Sequence, residues 1–335
     1  LSILSATSTT YADIKNSLNP DGSAALIIPI LELSCPVVKS ATVKEGNMSN
    51  GNQTVHQATK GTATKRSYNV GVAKSKVTQM PVVDMCSMYE ANVEVDCELL
   101  EKQPNPQGYM AGQEKAAVAA MTEDFETDFF YGNQKTNILS IDGLASRYKA
   151  LSTTKTESGY QIVNAGGSTN LSSLYLVGWG ANAFNLFYPM GSQAGIKRRF
   201  NLEQRVTDAA ANPFYASTVN VNWQVGLMVE NYRMGGRIAN IDTVALQTYG
   251  SSSDTSPELF KFVTTLKNRL QYKNGFKFCW YADEVVIGVL EAMVRDKYNV
   301  MLTMKEQMDA MPELYLNGWP VLLSDKILNS ETAVS

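Results

Sequence analysis

Residues 112–132 read GQEKAAVAAMTEDFETDFFYG. Ala117, Val118, Met121, Phe125 and Phe129 recur at spacings of three and four, which predicts a helix over 112–131 with one apolar stripe. Gly132 follows where a C-capping glycine belongs. Such a helix is ~30 Å long at 1.5 Å per residue. Glu114, Glu123, Asp124, Glu126 and Asp128 take its other faces, with Lys115 the only base, so its exposed surface is expected to be acidic.

Upstream, Glu90, Glu94, Asp96 and Glu98 alternate with Ala91, Val93, Val95 and Cys97, the period of a strand with one wet face. Gln103-Pro104-Asn105-Pro106 breaks the pattern before the helix. Residues 36–83 differ sharply from the rest. They are rich in Ser, Thr, Gly, Asn and Lys, carry Lys39, Lys44, Lys60, Lys65, Arg66, Lys74 and Lys76, and hold Glu45 as their only acid. So polar a stretch buries too little apolar area to form a core. Thr62 and Thr64, then Val70 and Val72, recur at alternate positions, which suits an extended two-stranded ribbon with a turn at Gly61. Disorder is the alternative, and this segment alone does not choose between them.

Downstream, strands are expected at 173–180, 221–225, 236–240, 276–281 and within 314–327, and helices at 257–270 and 283–296, separated by the breaker Gly250 to Ser256. The chain is therefore α+β. Its 335 residues carry a net charge of −3, so no basic field points to nucleic acid. Charged residues are 18%, below the usual ~25%, as in a chain that spends surface on protein contacts. His56 is the single histidine, which excludes multi-histidine metal sites; set in the polar stretch, it reads as a solvated surface residue. The four cysteines form no CxxC pair, which suits a reducing compartment, and no phosphate-loop, dinucleotide, GxSxG or HExxH motif occurs. No catalytic, cofactor or metal site is expected. Leu1 to Asn19 shows no signal-peptide pattern, and no apolar run spans a membrane.

The order of these parts resembles a tailed-bacteriophage major capsid protein. The helix exit Asp128-Phe129-Phe130-Tyr131-Gly132-Asn133, leading to Asp142-Gly143-Leu144-Ala145, is similar to a junction of that family. So are Leu174 to Gly180, the turn Tyr188-Pro189-Met190-Gly191-Ser192, and Arg237 to Asp242, in particular to coat proteins of short-tailed phages of the Salmonella phage epsilon-fifteen type. The resemblance implies a Hong Kong 97-like capsid fold. Its parts are an N-terminal arm over 1–35, an extended β-ribbon loop over 36–83, a peripheral domain over 84–250 carrying the spine helix at 112–131, and an axial domain over 251–330.

It also implies a non-enzymatic shell protein of the virion, assembled in the host bacterial cytoplasm. The implied partners are other copies of itself in pentamers and hexamers, a decoration or minor capsid protein, a portal, a scaffold, and packaged double-stranded DNA bound without sequence specificity. An encapsulin-like compartment and a soluble enzyme using the acidic cluster are the alternatives. Inter-subunit contact is expected from Lys60, Lys65, Arg66, Lys74 and Lys76 on the loop to Glu114, Glu123, Asp124 and Glu126 on a neighbour's helix.

Overall fold

A computed structural model describes residues 35–59, 61–208, 210–255, 257–294, 302–307 and 310–335. The expected arm, apart from Cys35, and Lys60 lie outside the described residues. In chain order the strands are β1 (Val43–Glu45), β2 (Gly51–Thr59), β3 (Thr78–Met85), β4 (Ser87–Asp96), β5 (Ile162–Asn164), β6 (Leu171–Trp179), β7 (Phe184–Tyr188), β8 (Ile196–Thr207), β9 (Pro213–Val229), β10 (Gly235–Asp242), β11 (Lys277–Ala282), β12 (Leu302–Gln307), β13 (Ala310–Leu316) and β14 (Trp319–Leu323). The longer helices are α1 (Pro106–Tyr131), α2 (Leu259–Arg269) and α3 (Glu284–Val294), with short helical turns at Pro36–Ser40 and Leu144–Arg147.

Two compact units divide the chain, and neither is contiguous. Among the described residues the first comprises Met88–Phe125 and Ala194–Gln224, and the second Cys35–Ser87, Glu126–Gln193 and Val225–Ser335. The boundary expected at 250/251 falls inside the second unit.

In the first unit α1 begins six residues before the expected start, because the supposed breaker is a cap. Asn105 Oδ1 accepts from Gly108 N at 2.9 Å, and Pro106 occupies the first helical position, where its missing N–H costs nothing. The apolar stripe is as expected. Met121 and Phe125 are buried, and the Phe125 ring lies 4.8 Å from Trp223 and 6.0 Å from Tyr89, edge-on to both. β8 and β9 form a long antiparallel hairpin, from Ile196 opposite Trp223 to Thr207 opposite Pro213. Val219, Val221 and Trp223 of β9 point inward, while Asn220 on the opposite face donates to Glu90 and Asn92 of β4. β8 shows no apolar alternation and is exposed along nearly its whole length, so nothing in its pattern announces a strand.

The second unit is built on a mixed sheet in the order β12-β13-β14-β11-β6-β7, with β10 pairing β5 and β6, and β1 lying parallel to β7. Every residue of β6 is buried, which is why this central strand reads as an apolar run without alternation. The end of α1 supplies Phe129, stacked on Trp179 at 6.0 Å, and Phe130, 5.4 Å from Tyr175. Beyond it the chain turns back on itself tightly enough to demand two glycines. A Cβ on Gly132 would stand 2.3 Å from the Ile141 carbonyl oxygen, and one on Gly143 2.4 Å from that of Asp128.

Arg237 and Glu331 form a deeply buried ion pair in this unit. Arg237 Nη2 meets Glu331 Oε2 at 2.8 Å, with the two side chains 5% and 4% exposed. Glu331 also accepts from Ser173 Oγ, from Tyr131 OH at 2.5 Å and from Tyr175 OH at 3.3 Å. Arg237 further donates to Ser173 Oγ at 2.9 Å and to the Tyr148 carbonyl at 3.2 Å. Burial pushes the Tyr131 and Tyr175 hydroxyls up, so both remain donors.

The ribbon is narrower than 36–83. Pro36–Ser40 buries Val37 and sets the Ser40 hydroxyl against Tyr281 OH, and β1 hydrogen-bonds β7, so residues 36–45 belong to the packed body. The ribbon proper is β2 against β3, from Gly51 opposite Met85 to Thr59 opposite Thr78.

Candidate assembly interface

The ribbon has a fixed root and an exposed end. At the root Asp84 is buried, accepting from Arg147 Nη2 at 2.8 Å and from Val229 N at 3.1 Å. Arg147 in turn donates to the carbonyls of Asp142 at 2.9 Å and Leu227 at 3.1 Å. The sequence places Asp84 in an acidic run; its role is to anchor β3, and no pattern at residue level distinguishes it from its exposed neighbours. The Asn47 side chain clamps Gln53 through both its N–H and its carbonyl, at 2.7 and 2.8 Å. His56 is half-buried rather than solvated. Its ring lies 6.2 Å from Tyr232, and its Nε2 is sealed from solvent without a partner among the described residues.

Residues 61–77 are exposed throughout. Lys65, Arg66, Lys74 and Lys76 are among them, around Tyr68, which is 97% exposed. The reversal occurs at Tyr68–Asn69 rather than at Gly61. Asn69 takes the left-handed conformation at φ 60°, one of the few residue types that tolerates it, and Arg66 Nε closes the turn on the Val70 carbonyl at 2.8 Å. No acid lies between Glu45 and Asp84, so this end is uniformly cationic.

The four expected acceptors on α1 separate. Asp124 is exposed and Glu123 half-buried. Glu114 is already paired, accepting from Arg198 Nε at 2.5 Å. Glu126 is a correction: at 5% exposure it cannot receive a partner's lysine. Its Oε1 accepts from Ser324 Oγ at 2.5 Å, and burial holds its carboxyl above the usual carboxylate range, opposed by hydrogen bonds from Ser324 and Cys35. The helical stripe contains this answer, since position 126 adjoins Phe125 and Phe129, but the acidic residue type hides it.

A carboxyl whose pKa folding raises stabilises the fold in its protonated form. That contribution is complete below about pH 4.5 and is lost as pH rises through the raised value. Glu126→Gln keeps the acceptor for Ser324 and removes the buried charge. Its urea midpoint should therefore exceed that of the parent at pH 7, with the gap closing on acidification; a gap that widens toward pH 4.5 contradicts the assignment.

The ribbon thus joins a buried root at Asp84 to an exposed, cationic end. Residues 19–335 match the family model described as Major capsid protein GP7. No curated protein matches the chain. Among solved structures, a chain from the near-atomic-resolution structure of bacteriophage epsilon15 is similar with a TM-score of 0.76 at 21% identity, over 100% of this chain and 99% of that one. The bacteriophage JBD30 capsid is similar at 0.50 and 9% identity, over 97% and 99%. An encapsulin from Synechococcus elongatus is similar at 0.41 and 12% identity, over 68% and 94%. The α+β architecture is thus the Hong Kong 97-like capsid fold, and the work of the molecule is that of a shell protein in a phage virion. Since the family match runs over nearly its whole length, the chain belongs to the major capsid protein GP7 family.

Proposed function

We propose that copies of this chain associate as pentamers and hexamers and close into an icosahedral shell around a double-stranded DNA genome, in the host bacterial cytoplasm, without catalysis. The first unit is then the peripheral domain with α1 as its spine, and the second carries the extended loop and the axial domain. Decoration protein, portal and scaffold are the accessory partners. The observation that carries this reading is the ribbon: residues 61–77 are exposed along their whole length, a surface a neighbouring molecule would cover. Its cationic end, with Lys65, Arg66, Lys74 and Lys76, docks on a neighbour's α1 near Glu123 and Asp124. Lys60, outside the described residues, joins this set.

A single exposed pair contributes only ~0.2–1 kcal/mol, screened over ~8 Å at physiological salt. Several pairs per subunit, gained only when neighbours are present, decide assembly. Replacing residues 57–79 with a short Gly/Ser turn should leave a soluble, cooperatively unfolding subunit that makes no shells in negative-stain micrographs. Lys65→Glu with Arg66→Glu should cut shell yield about tenfold at low salt, with partial recovery on charge reversal at Glu123 and Asp124. Shells of normal size from the trimmed chain would overturn the role of the ribbon.

A further inference from the structure

In the first unit β9 pairs β8 along one side and β4 along the other, so both flanking strands present an outer edge without a strand partner among the described residues. These edges carry opposite charge. β8 holds Lys197, Arg198, Arg199 and Arg205 against one acid, Glu203, whereas β4 holds Glu90, Glu94 and Asp96 and no base. Arg198 is engaged within the chain by Glu114. Arg199 and Arg205 are exposed, as are Phe200 and, at 72%, Leu202. A long exposed edge bearing apolar side chains is a template for another strand. The cationic residues on β8 repel a second β8 and select an acidic edge instead.

We infer that β8 of one copy docks along β4 of the next, carrying the sheet of one first unit into its neighbour with charge pairs along the seam. The contact is head-to-tail, the kind that closes copies into rings. Two-fold pairing of like edges would set charge against like charge. The seam rests on the shell reading above and adds a contact distinct from the ribbon.

The test uses shells assembled from an equal mixture of ¹⁴N- and ¹⁵N-labelled full-length chain, treated with a carbodiimide. Amide crosslinks from Lys197 to Glu90 or Glu94 should join light to heavy peptides. Intact shells that give only same-label pairs, or none from Lys197 to β4, overturn the seam. In parallel, Arg199→Glu with Arg205→Glu should lower shell yield about tenfold at low salt, and Glu94→Lys in the same chain should recover part of it, with circular dichroism unchanged throughout. Parent shells together with full yield from Arg199→Glu/Arg205→Glu refute the seam alone. A parent chain that makes no shells refutes the shell reading and the seam with it.

Discussion

Glu331→Ala is expected to destabilise the subunit by roughly 3–5 kcal/mol. The change removes the carboxylate paired with Arg237, whose side chain is 5% exposed, and leaves its guanidinium buried without a counter-charge among the described residues. It also strips the acceptor from Ser173, Tyr131 and Tyr175, three further donors. Each buried donor left unmade costs about 1–3 kcal/mol. Urea unfolding of the unassembled subunit measures the loss. The double change Arg237→Met with Glu331→Leu separates charge from packing. Exchanging a buried pair for apolar residues of similar volume is often neutral or stabilising by ~1–4 kcal/mol, so the double variant should be far more stable than Glu331→Ala alone. A Glu331→Ala midpoint equal to the parent's would mean that water reaches Arg237.

Phe125→Ala should cost about as much, ~3–5 kcal/mol, the range for a fully buried phenylalanine cut to alanine. Phe125 is 0% exposed, and its ring fills the space between Trp223 and Tyr89 in the smaller of the two units. A small core has few other large side chains to close over the void, so the subunit should be recovered mostly insoluble at 37 °C. Phe125→Leu keeps most of the volume and should stay soluble with a lower midpoint. Soluble, shell-forming Phe125→Ala protein would show that this face of α1 is not a core.

The parts legible in the sequence are those whose burial follows a local period. The stripe Met121, Phe125 and Phe129 of α1, the alternation of β4 and the apolar run of β6 each repeat within one element. The cationic ribbon was legible from composition, because so few apolar residues cannot make a core. What escaped depends on contacts distant in the chain. Arg237 and Glu331 are 94 residues apart, and nothing near either one signals the other. Asp84 and Glu126 read as surface acids because their burial is set by Arg147 and Ser324, from elsewhere in the chain. β8 escaped because an edge strand exposed on both faces has no periodicity to read. Pro106 reads as a stop, although Asn105 before it makes the same residues a start.

The interleaving of the two units sets the order of events on the ribosome. The first cannot be completed until Gln224 has emerged, although its β4 is made more than a hundred residues earlier. The sheet of the second has β6 at its middle, yet β6 finds its partners in β10 and β11 and its lock in Glu331, 158 residues beyond Ser173. At ~5–20 residues per second, roughly 8–30 s pass between synthesis of that central strand and arrival of its carboxylate. β10 and β11 emerge within that interval, and until Ala282 has been made β6 is unpaired on one or both sides. Slower translation lengthens this exposure, and with it the time in which the open edge of β6 can mispair or aggregate.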